Sequence, residues 1–236
     1  NKASRYFALV GLLVGLICAL FYMVSVEFLP KSIAVLIAMA VSLLVTGAFH
    51  EDGWADVWDG FGGGWSIEQK LDIMKDSRLG TYGAAALFII LLLKFQSLMA
   101  LASPIIALIL ANTLSRVVAT SLIYNMPYVD RDATSKVKPL AQHLSSKSLS
   151  FLLVTGLLVS LWFLPLMECL LLFAVLFVFR AILVVWFTRQ LGGYTGDCLG
   201  AAQQSSEVVI YLCLLAFGYG NSILNSALNS GVGVMN

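Results

Sequence analysis

Apolar runs broken by short polar stretches organise this chain, and several approach or exceed the roughly 18 residues that a helix needs to cross a bilayer. The first runs from Tyr6 to Val26 and stops at Glu27 and Pro30; the second covers Ser32 to Phe49. A third spans Tyr82 to Ala102, and after the Ser103-Pro104 break a fourth reaches Tyr124. The fifth runs from Leu149 to Leu164, the sixth from Leu166 to Phe187 and the seventh from Glu207 to Tyr219. The Asn- and Ser-rich tail from Asn221 onward is expected to be irregular. The pattern predicts an all-α fold, a polytopic bundle of about seven transmembrane helices forming one integral-membrane domain over residues 1–236.

Seven spans place alternate connections on one side. The long polar ones all fall together: the N-terminus and segments 50–83, 125–148 and 188–206. That side has ten basic residues, Lys2, Arg5, Lys70, Lys75, Arg78, Arg131, Lys136, Lys138, Lys147 and Arg189, against Lys31 on the other. The positive-inside rule assigns this face to the cytoplasm. Lys94, Arg116 and Arg180 lie within spans. Arg116 and Arg180 come late in spans that end on the cytoplasmic side, so they are expected to reach the acidic stretch from within the bundle; intramembrane charges are costly and default to function, the alternative being an ion pair that fixes helix packing.

Composition agrees with the pattern. The chain is 60% hydrophobic and 11% charged, with a mean hydropathy of +0.92. Its net charge of +1 and lack of a basic block give no footprint for nucleic acid. Cys18, Cys169, Cys198 and Cys213 form no CxxC pair and read as small apolar residues. No cleavable signal peptide is read ahead of the first run.

Charge placement changes the picture more than its total. The stretch from His50 to Gly83 holds seven of the thirteen acidic residues: Glu51, Asp52, Asp56, Asp59, Glu68, Asp72 and Asp76. Crowded carboxylates repel one another unless cations sit among them, which points to bound divalent metal. Asp52, Asp56 and Asp59 stand at i, i+4 and i+7, one stripe of a helix, with no basic residue before Lys70. Oxygen ligands on one face suit magnesium, and Glu51 and Asp76 join the candidate ligand set. Next, Gly60, Gly62, Gly63 and Gly64 read as a flexible turn whose bare amides approach a phosphate. A second amphipathic helix is expected from Ser66, its N-cap, to Arg78, presenting Asp72 and Asp76 with Lys75 and Arg78 beside them. Glu68 and Asp72 have basic neighbours and read equally well as a solvated face. His50 is a candidate ligand or acid–base group, or an interfacial histidine; His143 reads as a loop residue.

A second candidate segment, RQLGGYTGDCLG at 189–200, offers Arg189, Asp197 and accessible glycine backbone on the same face. Lys136 and Lys138 are candidates to hold phosphate as point charges, or to meet anionic lipid from a solvated loop.

HEDGWADVWDGFGGG, continued by IMKDSRLGTYG, closely resembles the signature of the cobalamin synthase family, the adenosylcobinamide-GDP ribazoletransferases of the bacterial inner membrane. RYFALVGLLVG near the start, Arg116 in the fourth span and LGGYTGDCLGA at 191–201 resemble that family in the expected order. Glu51 stands where the family pattern is permissive. The resemblance implies a magnesium-dependent phosphotransferase that joins adenosylcobinamide-GDP to α-ribazole or its 5′-phosphate and releases GMP. Metals on the aspartates would bridge the diphosphate, basic residues would hold its other oxygens, and an aspartate or His50 would serve as base. The chain also partly resembles CDP-alcohol phosphotransferases: Asp56-x-x-Asp59-Gly60 precedes Asp72-x-x-x-Asp76, with shorter spacing and without their Ala-Arg after Gly60. A transporter would need acids along a path through the membrane; here they gather at one face. The expected surroundings are the lipid bilayer and the two substrates, with a homo-oligomer or a complex with other cobalamin-assembly enzymes left open.

Overall fold

The computed structural model describes residues 3–129 and 143–232, with side chains through Gly218. After a 3-10 turn at Ala3–Tyr6 come α1 Phe7–Val26, α2 Lys31–Thr46, α3 Phe49–Gly63, α4 Ile67–Lys75 and α5 Thr81–Ala100. Then follow α6 Pro104–Leu122, α7 Ser146–Phe163, α8 Leu166–Leu191 and α9 Gly196–Val232. Six helices among the described residues are long and apolar enough to cross a membrane, and α2 with α3 forms a further, bent pair. Leu13, Leu158, Leu170 and Phe177 are among the large apolar side chains left on the outside, as lipid-facing surfaces require. The chain is an all-α, multi-pass membrane protein.

Helix α6 is the axis of the bundle, buried from Ala107 to Leu122 without interruption. α1 crosses it closely because Gly15 has no side chain: a Cβ there would lie 2.8 Å from the Ile109 Cα. α3 leaves α2 at 87°. The turn is made by Gly47 and Ala48, both left-handed at φ 66° and 55°, with the Ala48 amide donating to Leu43 O at 2.9 Å. This bend turns α3 into the bundle, against α9 and α5.

The acidic helix therefore slants. Its Asp59 meets the start of α5, whereas Glu51, two turns earlier, meets Lys94, about 20 Å further along α5 by helical rise. One end of α3 is at the polar face and the other is deep in the bundle.

Three expectations are corrected. The glycine run is not a flexible turn: α3 continues through Gly63, and the Gly64 amide donates to Gly60 O at 2.9 Å. The glycines serve packing instead, since Cβ atoms at Gly60 and Gly64 would run into Met74 and Lys70 of α4, and one at Gly62 into the Tyr82 ring. The seventh span begins at Gly196, not Glu207, so the polar residues read as a connection lie inside α9. The tail from Asn221 is helical to Val232.

Candidate active site

Stripe geometry sets the environment of the three aspartates. Asp52 is exposed, Asp56 half-buried and Asp59 buried. Opposite them, Gly53 allows α3 to touch the first turn of α9: a Cβ there would lie 2.9 Å from both Cα and O of Asp197. Gly200 meets α3 in the same way, against the His50 backbone. This crossing brings Asp197 to the stripe, and Asp56 stands within electrostatic reach of Asp197, Asp52 and Asp59. Thr195 fixes the entry to α9; its hydroxyl accepts from the Cys198 amide at 3.2 Å and donates towards Asp197 Oδ2 at 3.4 Å.

The preceding segment is clipped to another polar connection. Val129 N donates to Tyr194 O at 2.9 Å and Tyr194 N to Pro127 O at 3.0 Å, a single parallel bridge. Residues 52–83, 125–129 and 188–197 thus converge on one face, whereas Glu51, Gln203 and Gln204 lie inside the bundle. Lys136 and Lys138 lie outside the described residues.

The remaining candidates separate. Asp59 turns away from the stripe: its Oδ2 accepts from Gly80 N at 2.7 Å and its Oδ1 from Gly83 N at 2.8 Å. It anchors the first turn of α5, where unpaired amides favour an anion. Asp76 ends α4, which starts on a Ser66 capping box and stops three residues short of the expected Arg78. The Arg78 Nε lies 3.0 Å from both Asp76 oxygens, and this guanidinium holds the Asp76 carboxyl below the usual carboxylate range. Lys75 and Arg189 are exposed on the same face. Lys70 joins α4 to α8 through Gln190 Oε1 at 2.6 Å.

Glu51 belongs to a buried network rather than to the stripe. Lys94 Nζ lies 3.8 Å from Glu51 Oε1 and donates to Gln204 Oε1 at 3.0 Å. Gln204 Nε2 donates to Glu51 Oε1 and to Gln203 Oε1, both at 2.8 Å. Gln203 donates to Glu207 and, at 3.2 Å, to Ser115 Oγ. Arg116 Nη1 bonds Asn112 O at 2.8 Å, and the carboxylates acting on it are Glu207 and Glu51. His50 also lies on this interior side, in reach of Arg116, Glu207 and Lys94. Arg180 does not approach the acids of the stripe; among the described residues it bonds Ser121 and Asn125, on α6 and just beyond its end. The sequence reading missed Lys94, Gln203, Gln204 and Glu207 as partners, although a lone lysine in an apolar span calls for a buried carboxylate.

No group of three or more His, Cys, Asp or Glu side chains among the described residues is arranged to hold a metal ion by itself. The donor chemistry nevertheless fits magnesium, which keeps several waters and binds through one or two carboxylates plus substrate phosphates. Asp52, Asp56 and Asp197 are crowded, partly exposed oxygen donors, and the charges acting on Asp56 and Asp197 are those of neighbouring carboxylates.

Beside the stripe, Trp54, Trp58, Tyr82, Ile89, Phe179 and Val208 are among the walls of an apolar cavity of about 540 Å³. Trp58 and Phe61 pack on Trp186, which ties α3 to α8.

The same chain can be placed by its likeness to known proteins. The family model described as Cobalamin-5-phosphate synthase matches residues 1–215. The adenosylcobinamide-GDP ribazoletransferase of Shewanella frigidimarina (strain NCIMB 400) is 56% identical over 223 residues, covering 92% of this chain and 85% of the relative. Proteins of the same name from Shewanella pealeana (strain ATCC 700345 / ANG-SQ1) and Shewanella oneidensis (strain MR-1) are 56% and 54% identical; each match covers 92% of this chain and 86% and 85% of the relative. No solved structure matches. The chain belongs to the Cobalamin-5-phosphate synthase family.

Proposed function

We propose that this protein transfers the cobinamide phosphate of adenosylcobinamide-GDP to a ribose hydroxyl of α-ribazole or α-ribazole 5′-phosphate, releasing GMP. It does so as a single membrane domain of the bacterial inner membrane, with the site open to the cytoplasm. The observation that carries the reading is the meeting of Asp52 and Asp56 on α3 with Asp197 on α9, in a chain 56% identical to a protein of that name.

Asp52, Asp56 and Asp197 would hold magnesium. When bound, the ion supplies charge neutralisation to the diphosphate and to the GMP that leaves. The acceptor oxygen forms a bond to the cobinamide-linked phosphorus as the bond from that phosphorus to the GMP oxygen breaks. Asp52, the most exposed of the three, takes the hydroxyl proton. Arg189, Lys75 and Arg78 supply cations at the same face for phosphate oxygens that do not react. The aromatic cavity beside α3 receives the flat apolar base of the acceptor.

Purified protein in lipid, given both substrates and magnesium, is expected to release GMP only when α-ribazole or its phosphate is present. Folded protein inactive under these conditions would overturn the reading, and turnover of CDP-activated alcohols instead would move it to the CDP-alcohol phosphotransferase type.

A further inference from the structure

Arg180 and the space around it lie apart from the acidic site. A cavity of about 420 Å³ opens between α6, α7 and α8, with no lining residue from α3, α4, α5 or α9. Its polar residues gather at one end. Ser121 is in the last turn of α6, Tyr124 and Asn125 follow that helix, and the Tyr124 hydroxyl lies 3.3 Å from Ser146 Oγ at the first residue of α7. This end is level with the C-terminus of α6 and the N-terminus of α7, the height at which headgroups would meet those two helices, while α8 continues past Arg180 to Leu191. Leu114, Leu153 and Phe173 are about two turns deeper and are apolar. Leu153 and Phe177 also face outward, 41% and 72% exposed, so the cavity opens sideways into the bilayer.

Among the described residues, the guanidinium at the polar end has no counter-charge. Arg180 Nε donates to Ser121 Oγ at 2.7 Å and Nη2 to Ser121 O at 2.9 Å and to Asn125 Oδ1. These partners are neutral, and no carboxylate pairs with it among the described residues. They orient the planar fork while leaving Nη1 without a partner there. A fixed cation at headgroup level, above an apolar slot open to lipid, is complementary to an amphiphile with an anionic head.

We propose that this cavity binds one anionic phospholipid, its phosphate on Arg180 and one acyl chain between α7 and α8. A soluble phosphate compound would leave the apolar walls uncovered, whereas a lipid of the surrounding bilayer fills both parts. The site is separate from the transferase reading and is tested without turnover.

The test is native mass spectrometry of the full chain, delipidated in detergent and titrated with phosphatidylglycerol or phosphatidylcholine. The wild type is expected to retain one phosphatidylglycerol with about a fivefold preference over phosphatidylcholine, and Arg180→Gln to lose that preference. Leu153→Trp, which fills the slot and leaves Arg180 in place, is expected to lose retention of both lipids; it decides the matter if Arg180→Gln does not fold. Undiminished preference in Arg180→Gln, or undiminished retention in Leu153→Trp, would overturn the proposal. So would stabilisation of the lipid-free wild type by inorganic phosphate or GMP that Arg180→Gln abolishes, since the cavity would then take a soluble anion.

Discussion

Lys94 Nζ lies 2.6 Å from Glu207 Oε2, and both side chains are almost wholly buried. The pair joins α5 to α9, while Glu51, 3.8 Å from the same Nζ, brings in the acidic helix α3. Two carboxylates therefore share this cation, with Arg116 nearby. Lys94→Met leaves both without it and is expected to cost about 3–5 kcal/mol. Thermal unfolding in detergent measures this, and Lys94→Met/Glu207→Gln should regain part of the loss. A single variant that melts like the wild type would show that the network carries no such load.

Asp59 and Asp52 are expected to differ in kind, although they share a stripe. Asp59→Asn places an amide against two backbone donors and should lower stability by about 1.5–3 kcal/mol, with activity falling as a consequence. Asp52→Asn should leave melting within error of the wild type and lower GMP release by about a hundredfold or more. Comparing melting curves with turnover separates the two; equal effects on stability would remove the distinction.

Magnesium withdrawal should act through Asp56 and Asp197. Chelation is expected to abolish GMP release and magnesium to restore it. Asp56→Asn and Asp197→Asn should each raise the magnesium concentration needed for half-maximal rate, by about 10- to 100-fold. An unaltered magnesium requirement in both would take these residues out of the metal site.

Gly53 tests the crossing of α3 and α9. Gly53→Ala forces a Cβ against the Asp197 backbone, so α3 must move outward, at about 1–3 kcal/mol. The expected result is a weaker apparent magnesium affinity with GMP release reduced, read from rate against magnesium concentration. Wild-type behaviour on both counts would mean that α3 and α9 need not touch there.

The spans were legible because length and apolarity decide them, and the acidic stripe because i, i+4, i+7 is a local rule. The glycine run was read as a turn on intrinsic preference, but packing against Met74, Lys70 and Tyr82 keeps it helical. Gln203 and Gln204 looked like a polar connection, and Glu207 like the start of a span, because their partners, Ser115, Lys94 and Glu51, are far away in sequence. The same distance hid the position of Glu51. Arg180 was recognisable as an intramembrane charge, but only the course of α8 shows which side of the bundle it faces.

The right-angle turn at Gly47 and Ala48 also bears on how the protein is made. α3 emerges from the ribosome before its partners and brings Glu51 into the bundle, yet the lysine beside Glu51 is synthesised 43 residues later (94 − 51), and Gln204 on α9 comes 153 residues after Glu51. An insertion machinery releasing helices in sequence cannot seat the acidic helix when it appears. Its docking is complete only with α9, so the acidic face closes only once that helix has been made, and a chain cut short before α9 would be membrane-inserted but without Asp197 beside the stripe.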